Sequence, residues 1–92
     1  MFFEWDRDKA AQNRKKHGIS FREAATVFGD PLSITFPDFA HSEEEPRYIT
    51  IGMTERGTMI VVAHTEEEDT VRIISARRAT RHERRFYEEE ER

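Results

Sequence analysis

The side chains with the clearest chemical capacity are the four histidines, His17, His41, His64 and His82. A histidine accepts or donates a proton near neutral pH without large tuning, so each is a candidate general base or acid. His41 lies in a turn-rich stretch, where it either orders the loop through a hydrogen bond or serves a site. His17 is expected at the C-terminal end of a helix, where it interacts favourably with the helix dipole. His64 and His82 are expected to be exposed and to have no role in a site.

Three arginines, Arg72, Arg77 and Arg78, bracket the end of the last β-rich run. A guanidinium fork binds phosphate through two hydrogen bonds, which makes these side chains candidates for holding a phosphate. Strict alternation along a strand puts Arg72 on the same face as Ile74 and Ala76. An arginine on such a face must pair with a carboxylate or project at a sheet edge. The candidate carboxylate partners are Glu23, Glu45 and Glu83.

Several classes of site have no signature in the sequence. There is no cysteine and no His-Glu-x-x-His pattern, so neither a thiol site nor a dedicated metal centre is expected. The glycine-rich phosphate loops and the serine elbow of common nucleotide-binding and hydrolase templates are also missing. The longest apolar run, Met59–Ala63, is far shorter than the ~20 residues that cross a bilayer, and no secretory signal is visible. A cytoplasmic protein is therefore expected.

The charges are segregated along the chain, although the net charge of −4 by itself argues against a general polyanion binder. Residues 7–17 hold five basic side chains against one acidic, and residues 71–85 hold six against one. Acidic residues collect at 43–45, 66–69 and 88–91. If folding brings the two basic segments together, they form a phosphate-facing surface; otherwise both are solvated faces neutralised by nearby acids.

The length of 92 residues indicates one domain, residues 1–92, with a modest core. Asp6 is placed to cap a first helix, and Gly18 is placed to end it in the left-handed conformation. Ser20 and Glu23 have the spacing of a capping box before a second helix, which Pro31 terminates. The first part of the chain is therefore predicted to be a pair of helices.

Beyond Pro31 the apolar period changes to two, which predicts four short strands at 32–36, 48–53, 59–64 and 71–75. Their close spacing requires antiparallel neighbours, with hairpin loops at 55–57 and 66–69. Phe2 and Phe3 are candidates for a short additional edge strand. Thr80 and Glu83 form another capping-box pattern that opens a C-terminal helix. The predicted fold is α+β, with the helices covering one face of an antiparallel four-stranded sheet.

The residues resemble the BrnT family of toxins, in order, along nearly the whole chain. The resemblance rests on Phe3-Glu-Trp-Asp6, Lys9-Ala10, Asn13, Lys16-His17-Gly18-Ile19-Ser20-Phe21, His41-Ser42, Glu45, Arg47, Ile51-Gly52, Arg72-Ile-Ile-Ser-Ala-Arg77, Glu83 and Tyr87. It implies a RelE-like fold and a metal-independent endoribonuclease toxin of a bacterial type II toxin–antitoxin pair, which inhibits translation by cutting RNA. It also implies a BrnA-like ribbon-helix-helix antitoxin as the partner, contact with operator DNA only through that antitoxin, and neither a cofactor nor a membrane.

Cleavage of RNA without a metal needs a base for the 2′ hydroxyl, an acid for the leaving 5′ oxygen, and cations for the charge that develops on phosphorus. RelE-like enzymes resemble one another in relying on arginine, lysine and tyrosine more than on a histidine pair. Our hypothesis therefore assigns phosphate stabilisation to Arg72 and Arg77, and proton transfer to His64 or Tyr87. The residues expected to bind RNA are Arg47, Lys16 and His17.

One departure from the family pattern is Glu67, where the family commonly has an arginine. An acid beside a phosphate site weakens catalysis there, unless the arginine served only in antitoxin contacts. The alternative function is therefore a catalytically weak or inactive toxin homologue that binds its antitoxin as a corepressor. Direct DNA binding is less favoured, because the net charge is acidic and no recognition helix stands out.

Overall fold

The computed structural model describes residues 1–41 and 44–90, so Ser42, Glu43 and the last two residues of the acidic C-terminus lie outside the described part. The elements, in chain order, are strand β1 (Phe2–Glu4), helix α1 (Arg7–His17), helix α2 (Phe21–Ala25), a 3₁₀ turn (Thr26–Gly29), strand β2 (Ile34–Pro37), a second 3₁₀ turn (Phe39–His41), strands β3 (Tyr48–Met53), β4 (Met59–Glu67) and β5 (Thr70–Arg78), and helix α3 (Arg81–Glu90). No helix within the described ranges combines the length and apolarity needed to cross a membrane.

Both predicted limits of α1 and the predicted start of α2 are confirmed, whereas α2 ends at Ala25 and continues as a 3₁₀ turn to Gly29 instead of running as an α-helix to the stop at Pro31. Asp6 accepts a hydrogen bond from a backbone amide in the first turn of α1, and Gly18 ends that helix at a φ of 72°. Ser20 Oγ caps α2 by accepting from the backbone amide of Glu23 at 3.0 Å. The Glu23 carboxylate accepts from the Thr54 hydroxyl at 3.1 Å, which ties α2 to the residue after β3.

The sheet has five strands in the order β1-β5-β4-β3-β2. The four strands predicted beyond Pro31 are present and antiparallel to their neighbours. The candidate edge strand at Phe2 and Phe3 is confirmed as β1, but the sheet is mixed rather than antiparallel throughout, because β1 joins the edge of β5 in parallel, with Phe3 opposite Val71. A parallel neighbour is possible here because nearly the whole chain separates these two strands.

The helices cover both faces of the sheet, whereas the sequence predicted one covered face. Alternate residues of β4 show the division. Ile60 and Val62 are buried in the cluster formed with α2, whereas Met59 and Val61 are buried in a second cluster that includes Tyr87 of α3. The face that packs against α1 and α2 is called the inner face below, and the face that carries α3 is called the outer face.

The β4–β5 hairpin is longer and more irregular than predicted. Its strands continue to Glu67 and begin again at Thr70, and Glu68 adopts a φ of 55° in the tight turn between them. Within the hairpin, Ala63 opposes Ser75 and His64 opposes Ile73. Ile74 is therefore an extra residue in β5, which is the definition of a β-bulge.

The Asn13 side chain makes hydrogen bonds to the part of the β5 edge that no strand covers. β1 covers that edge only as far as Arg72. Beyond it, Asn13 Nδ2 donates to the Ala76 carbonyl at 2.9 Å, and Asn13 Oδ1 accepts from the Ala76 amide at 3.1 Å. Nδ2 also donates to the Ile19 carbonyl at 3.1 Å. One amide group thus supplies the bonds of a missing neighbour strand and fixes α1 on the sheet.

We expect Asn13→Ala to lower the free energy of unfolding by about 3 kcal/mol, because it leaves buried backbone groups without partners. Chemical denaturation followed by circular dichroism measures this loss. The matched control is Gln12→Ala on the exposed side of the same helix, which should change stability by less than about 0.5 kcal/mol. Equal stabilities for the two variants would contradict the role of Asn13 as a clamp.

Candidate functional site

Arg72 and Arg77 lie on the same face of the sheet. Arg77 follows Arg72 by five positions in the sequence, so strict alternation would put the two side chains on opposite faces. However, they oppose Thr65 and Val61, which lie four residues apart and therefore share one face of β4. The bulge at Ile74 reverses the alternation and turns both arginines to the outer face.

Arg77 is held by Glu83 through a two-pronged ion pair. Arg77 Nη1 lies 2.7 Å from Glu83 Oε1, and Arg77 Nη2 lies 2.8 Å from Glu83 Oε2. The hydrogen bonds from Arg77, together with one from the Thr80 amide, lower the pKa of Glu83 to about 2 although burial opposes the shift. The predicted capping box is confirmed, since the Glu83 amide also donates to the Thr80 hydroxyl. The pair therefore fastens the first turn of α3 to the end of β5.

Arg72 is surrounded by carboxylates at the other end of β5. Its Nε lies 3.1 Å from Glu4 Oε2, and its Nη1 lies 4.0 Å from Glu45 Oε1. A cavity of about 220 Å³ beside it is also lined by Glu67 and Glu68. Arg72 is more than half exposed, so these contacts lie in solvent and a phosphate can compete with them.

The two arginines do not form one cluster. Thr65 and Val61, the residues opposite Arg72 and Arg77, are four positions apart in β4. The backbones of Arg72 and Arg77 are therefore roughly 13 Å apart along the sheet. One phosphate cannot contact both side chains at that spacing while each keeps its ion pair. Two of the predicted carboxylate partners are confirmed, since Glu45 lies beside Arg72 and Glu83 pairs with Arg77. Glu4 is a further partner of Arg72 that was not predicted.

His64 is buried in the inner face, so the prediction that it is exposed is wrong. Its side chain has no exposed surface, and its Nε2 lies 2.7 Å from the Thr50 hydroxyl. The Phe28 ring meets its edge at a centroid distance of 5.0 Å. Glu66 Oε2 is 3.4 Å from Nδ1 but outside hydrogen-bond geometry, so Nδ1 has no partner among the described residues. Burial lowers the pKa of His64 to about 4, which keeps the ring neutral at neutral pH.

Tyr87 is a buried anchor of α3. Its hydroxyl donates to Asp30 Oδ2 at 2.7 Å, and the same oxygen accepts from the Met53 amide at 2.8 Å. Burial alone would raise the pKa of Asp30, but these hydrogen bonds and one from the Leu32 amide lower it below the ordinary value. Both residues assigned to proton transfer, His64 and Tyr87, thus have buried side chains.

The two basic segments of the sequence meet at one end of the molecule. Lys9 lies beside Ile73 and Asn13 contacts Ala76, so α1 runs in the same direction as β5. The last turn of α1 therefore lies near the end of β5 and the start of α3. The basic side chains at this end are Arg14, Lys15, Lys16, Arg78 and Arg81, all exposed, and the half-buried His17.

At the opposite end of the sheet, the segment between β2 and β3 places His41 beside Asp38. His41 Nδ1 and Asp38 Oδ2 are 3.0 Å apart, and the His41 ring is 65% exposed. Arg47 shares with His41 the lining of an open cavity of about 370 Å³. No sequence pattern singled out Asp38, although a carboxylate three residues before a histidine in a turn-rich segment is a usable signal.

The comparisons with known proteins agree on one family. The family model that matches residues 5–83 is described as the ribonuclease toxin BrnT of a type II toxin–antitoxin system. No curated protein sequence matches the chain. Among solved structures, the crystal structure of the Brucella abortus ribonuclease toxin BrnT is similar, with a TM-score of 0.67 and 22% identity. That similarity covers 88% of this chain and 100% of the other, and it shows a shared fold.

The burial of His64 predicts a specific pH dependence of stability. Its pKa is 6.5 unfolded and about 4 folded, so its contribution is complete above pH 6.5 and is lost as the pH falls towards 4. We expect His64→Gln to flatten the fall in unfolding free energy between pH 7 and 4, by on the order of 3 kcal/mol at most. Denaturation curves at several pH values measure it, with the exposed His82→Gln as control. Parallel curves for the wild type and His64→Gln would exclude this contribution.

Proposed function

We propose that this chain, which belongs to the BrnT family of ribonuclease toxins of type II toxin–antitoxin systems, is a metal-independent endoribonuclease that inhibits translation by cutting RNA. The observation that best supports RNA as the substrate is the alignment of Arg72 and Arg77 on the outer face. A strand laid along β5 would offer a different phosphate to each arginine, which fits their spacing of roughly 13 Å. In this proposal each arginine therefore makes its own phosphate contact.

The basic end of the molecule supports the same path for the RNA. The exposed Lys16 and Arg78 lie on the inner side of the sheet at the end of β5, so they would contact an RNA strand only where it passes beyond Arg77 and around that end. Contacts of this kind bind phosphates without reading sequence, and they weaken as salt increases. His17 lies at the same end but is half-buried, so its part in RNA binding is smaller in this proposal. Arg47 lies at the opposite end of the sheet, near the other end of the proposed RNA path.

The proposed chemistry is transesterification. The 2′ oxygen forms a bond to phosphorus, the bond from phosphorus to the 5′ oxygen breaks, and a 2′,3′-cyclic phosphate and a 5′ hydroxyl remain. Arg72 would stabilise the negative charge that develops on the phosphoryl oxygens. Since Glu4 and Glu45 lie beside this guanidinium, the RNA must displace at least part of those exposed contacts when it binds.

A protein antitoxin is the partner that a type II family implies, and we propose that it is a BrnA-like ribbon-helix-helix protein. An acidic segment of that partner would cover the basic end and exclude RNA by competing for the same cations. Contact with operator DNA would then pass through the antitoxin.

A second candidate function is that of a weakly active homologue retained as a corepressor. The observation that favours it is the acidic setting of Arg72, where Glu4, Glu45, Glu67 and Glu68 line one cavity with the arginine. Four carboxylates repel an approaching phosphate. A wild-type protein that binds its antitoxin but neither arrests growth nor cuts RNA would establish this function in place of the first.

The purified protein is expected to cut RNA in the presence of EDTA, and Arg72→Ala is expected to lower the cleavage rate by about 100-fold. Gel analysis and mapping of the RNA ends measure the rate and the products. Arg22→Ala is the matched control, because Arg22 is an exposed arginine of α2, in the layer on the inner face. Equal rates for the two variants would remove Arg72 from the mechanism.

The roles of Arg77 in folding and in phosphate binding are separated by a pair of variants. Arg77→Ala removes both roles, whereas Glu83→Gln removes the charged partner, keeps an acceptor for the Thr80 amide and leaves the guanidinium in place. Growth arrest on induction should be lost in Arg77→Ala and retained in Glu83→Gln, with thermal melts to compare stability. Loss of toxicity in both variants, in proportion to lost stability, would mean that Arg77 is only structural.

A further inference from the structure

The segment between β2 and β3 holds an exposed histidine in a fixed orientation. The Asp38 amide donates to the Arg47 carbonyl at 2.8 Å, which extends the β2–β3 ladder by one step. The His41 amide donates to the Asp38 carbonyl at 3.2 Å, which closes a 3₁₀ turn. The histidine backbone is thus anchored to the sheet through two consecutive hydrogen bonds.

The side chains of the same turn set the orientation of the ring. Asp38 Oδ2 lies 3.0 Å from His41 Nδ1, and the Asp38 side chain is only 16% exposed. A carboxylate at this position accepts a hydrogen bond from Nδ1–H, and in the neutral ring of that tautomer Nε2 carries no proton. The ring is 65% exposed, so Nε2 is available to a ligand from solvent.

The charged groups described around His41 are three carboxylates and one guanidinium, so a phosphodiester would have to bind next to Arg47. The cavity beside the ring is lined by Glu44, Glu45 and Arg47, and Asp38 completes the set of charged neighbours among the residues described. Glu45 lies 4.0 Å from Arg72 and also lines the cavity beside it, so the two cavities are neighbours at the end of the proposed RNA path. Arg47 supplies a guanidinium within the same cavity as the imidazole.

The other three histidines lack this combination. His64 is fully buried, and His17 is half-buried at the end of α1. His82 is exposed, but within the described part of the chain its side chain has no hydrogen-bond partner to orient it. His41 is the exposed histidine with a carboxylate on one ring nitrogen and open solvent at the other.

We propose that His41 is the general base of the cleavage reaction, with Asp38 as its positioning residue; this inference rests on the proposed ribonuclease function. His41 Nε2 takes the proton of the 2′ hydroxyl as the 2′ oxygen bonds to phosphorus. The bond to the 5′ oxygen breaks, and that oxygen takes a proton from water. The proton held by His41 then returns to solvent, so the step is balanced. Arg47 faces the phosphoryl oxygens.

The test compares His41→Gln with His82→Gln in the full chain, using an RNA oligonucleotide in EDTA. His41→Gln should lower the single-turnover cleavage rate by about 100-fold or more, because general base catalysis is lost. RNA affinity, measured by fluorescence anisotropy, should change by less than about twofold in either variant, and circular dichroism confirms that both fold. His82→Gln should cleave at the wild-type rate.

Asp38→Asn tests the positioning role, because the ring loses the carboxylate that fixes its orientation. The single-turnover rate should fall by about tenfold while RNA affinity and the thermal midpoint stay at the wild-type values, and Asp38→Glu should restore part of the rate. A wild-type rate in Asp38→Asn would remove Asp38 from its positioning role. A wild-type rate in His41→Gln would overturn this inference while leaving the ribonuclease intact, whereas a wild-type protein that cuts no RNA would overturn both proposals.

Discussion

The arrangement of the whole molecule depends on the way in which the open edge of β5 is satisfied. A backbone edge in the interior needs donors and acceptors, and β1 is too short to supply them beyond Arg72. The Asn13 amide supplies both for Ala76, and it can do so only if α1 lies directly against that edge. The position of α1, and with it the meeting of the two basic segments, follows from this local requirement. A structural hydrogen bond therefore determines where the surface charge lies.

The outer face shows how closely stability and binding are connected in a domain of this size. Arg77, which we propose as a phosphate contact, also closes the bidentate pair that begins α3. α3 is further anchored by the hydrogen bond from Tyr87 to Asp30, whose carboxylate also bonds to the amide after Gly52. A Cβ at Gly52 would lie 2.7 Å from Val27 Cγ2. The 3₁₀ turn that contains Val27 therefore packs directly against the backbone of β3 at this glycine. Asp30 thus anchors α3 at a second point, separate from the Arg77–Glu83 pair.

The histidines illustrate how burial divides residues of one type between structure and chemistry. His64 lies under Phe28 and bonds to Thr50, whose hydroxyl lies 2.7 Å from that of Thr35. Burial keeps this imidazole neutral and makes it a polar element of the core. His41 has the opposite surroundings, with solvent at one nitrogen and a carboxylate at the other. Only the second environment suits proton exchange with a ligand.

Local patterns in the sequence determined the caps at Asp6 and Gly18, the reciprocal box of Thr80 and Glu83, and the four antiparallel runs, because each depends on neighbouring residues. Other features were decided only by the tertiary structure, since they depend on contacts distant in sequence. These are the parallel pairing of β1, the placement of α3 on the outer face, the bulge at Ile74 and the burial of His64. The bulge matters most for the candidate site, because one extra residue decides whether Arg72 and Arg77 share a face. The alternation of apolar and polar residues along a strand cannot reveal where that strand carries an extra residue relative to its neighbour.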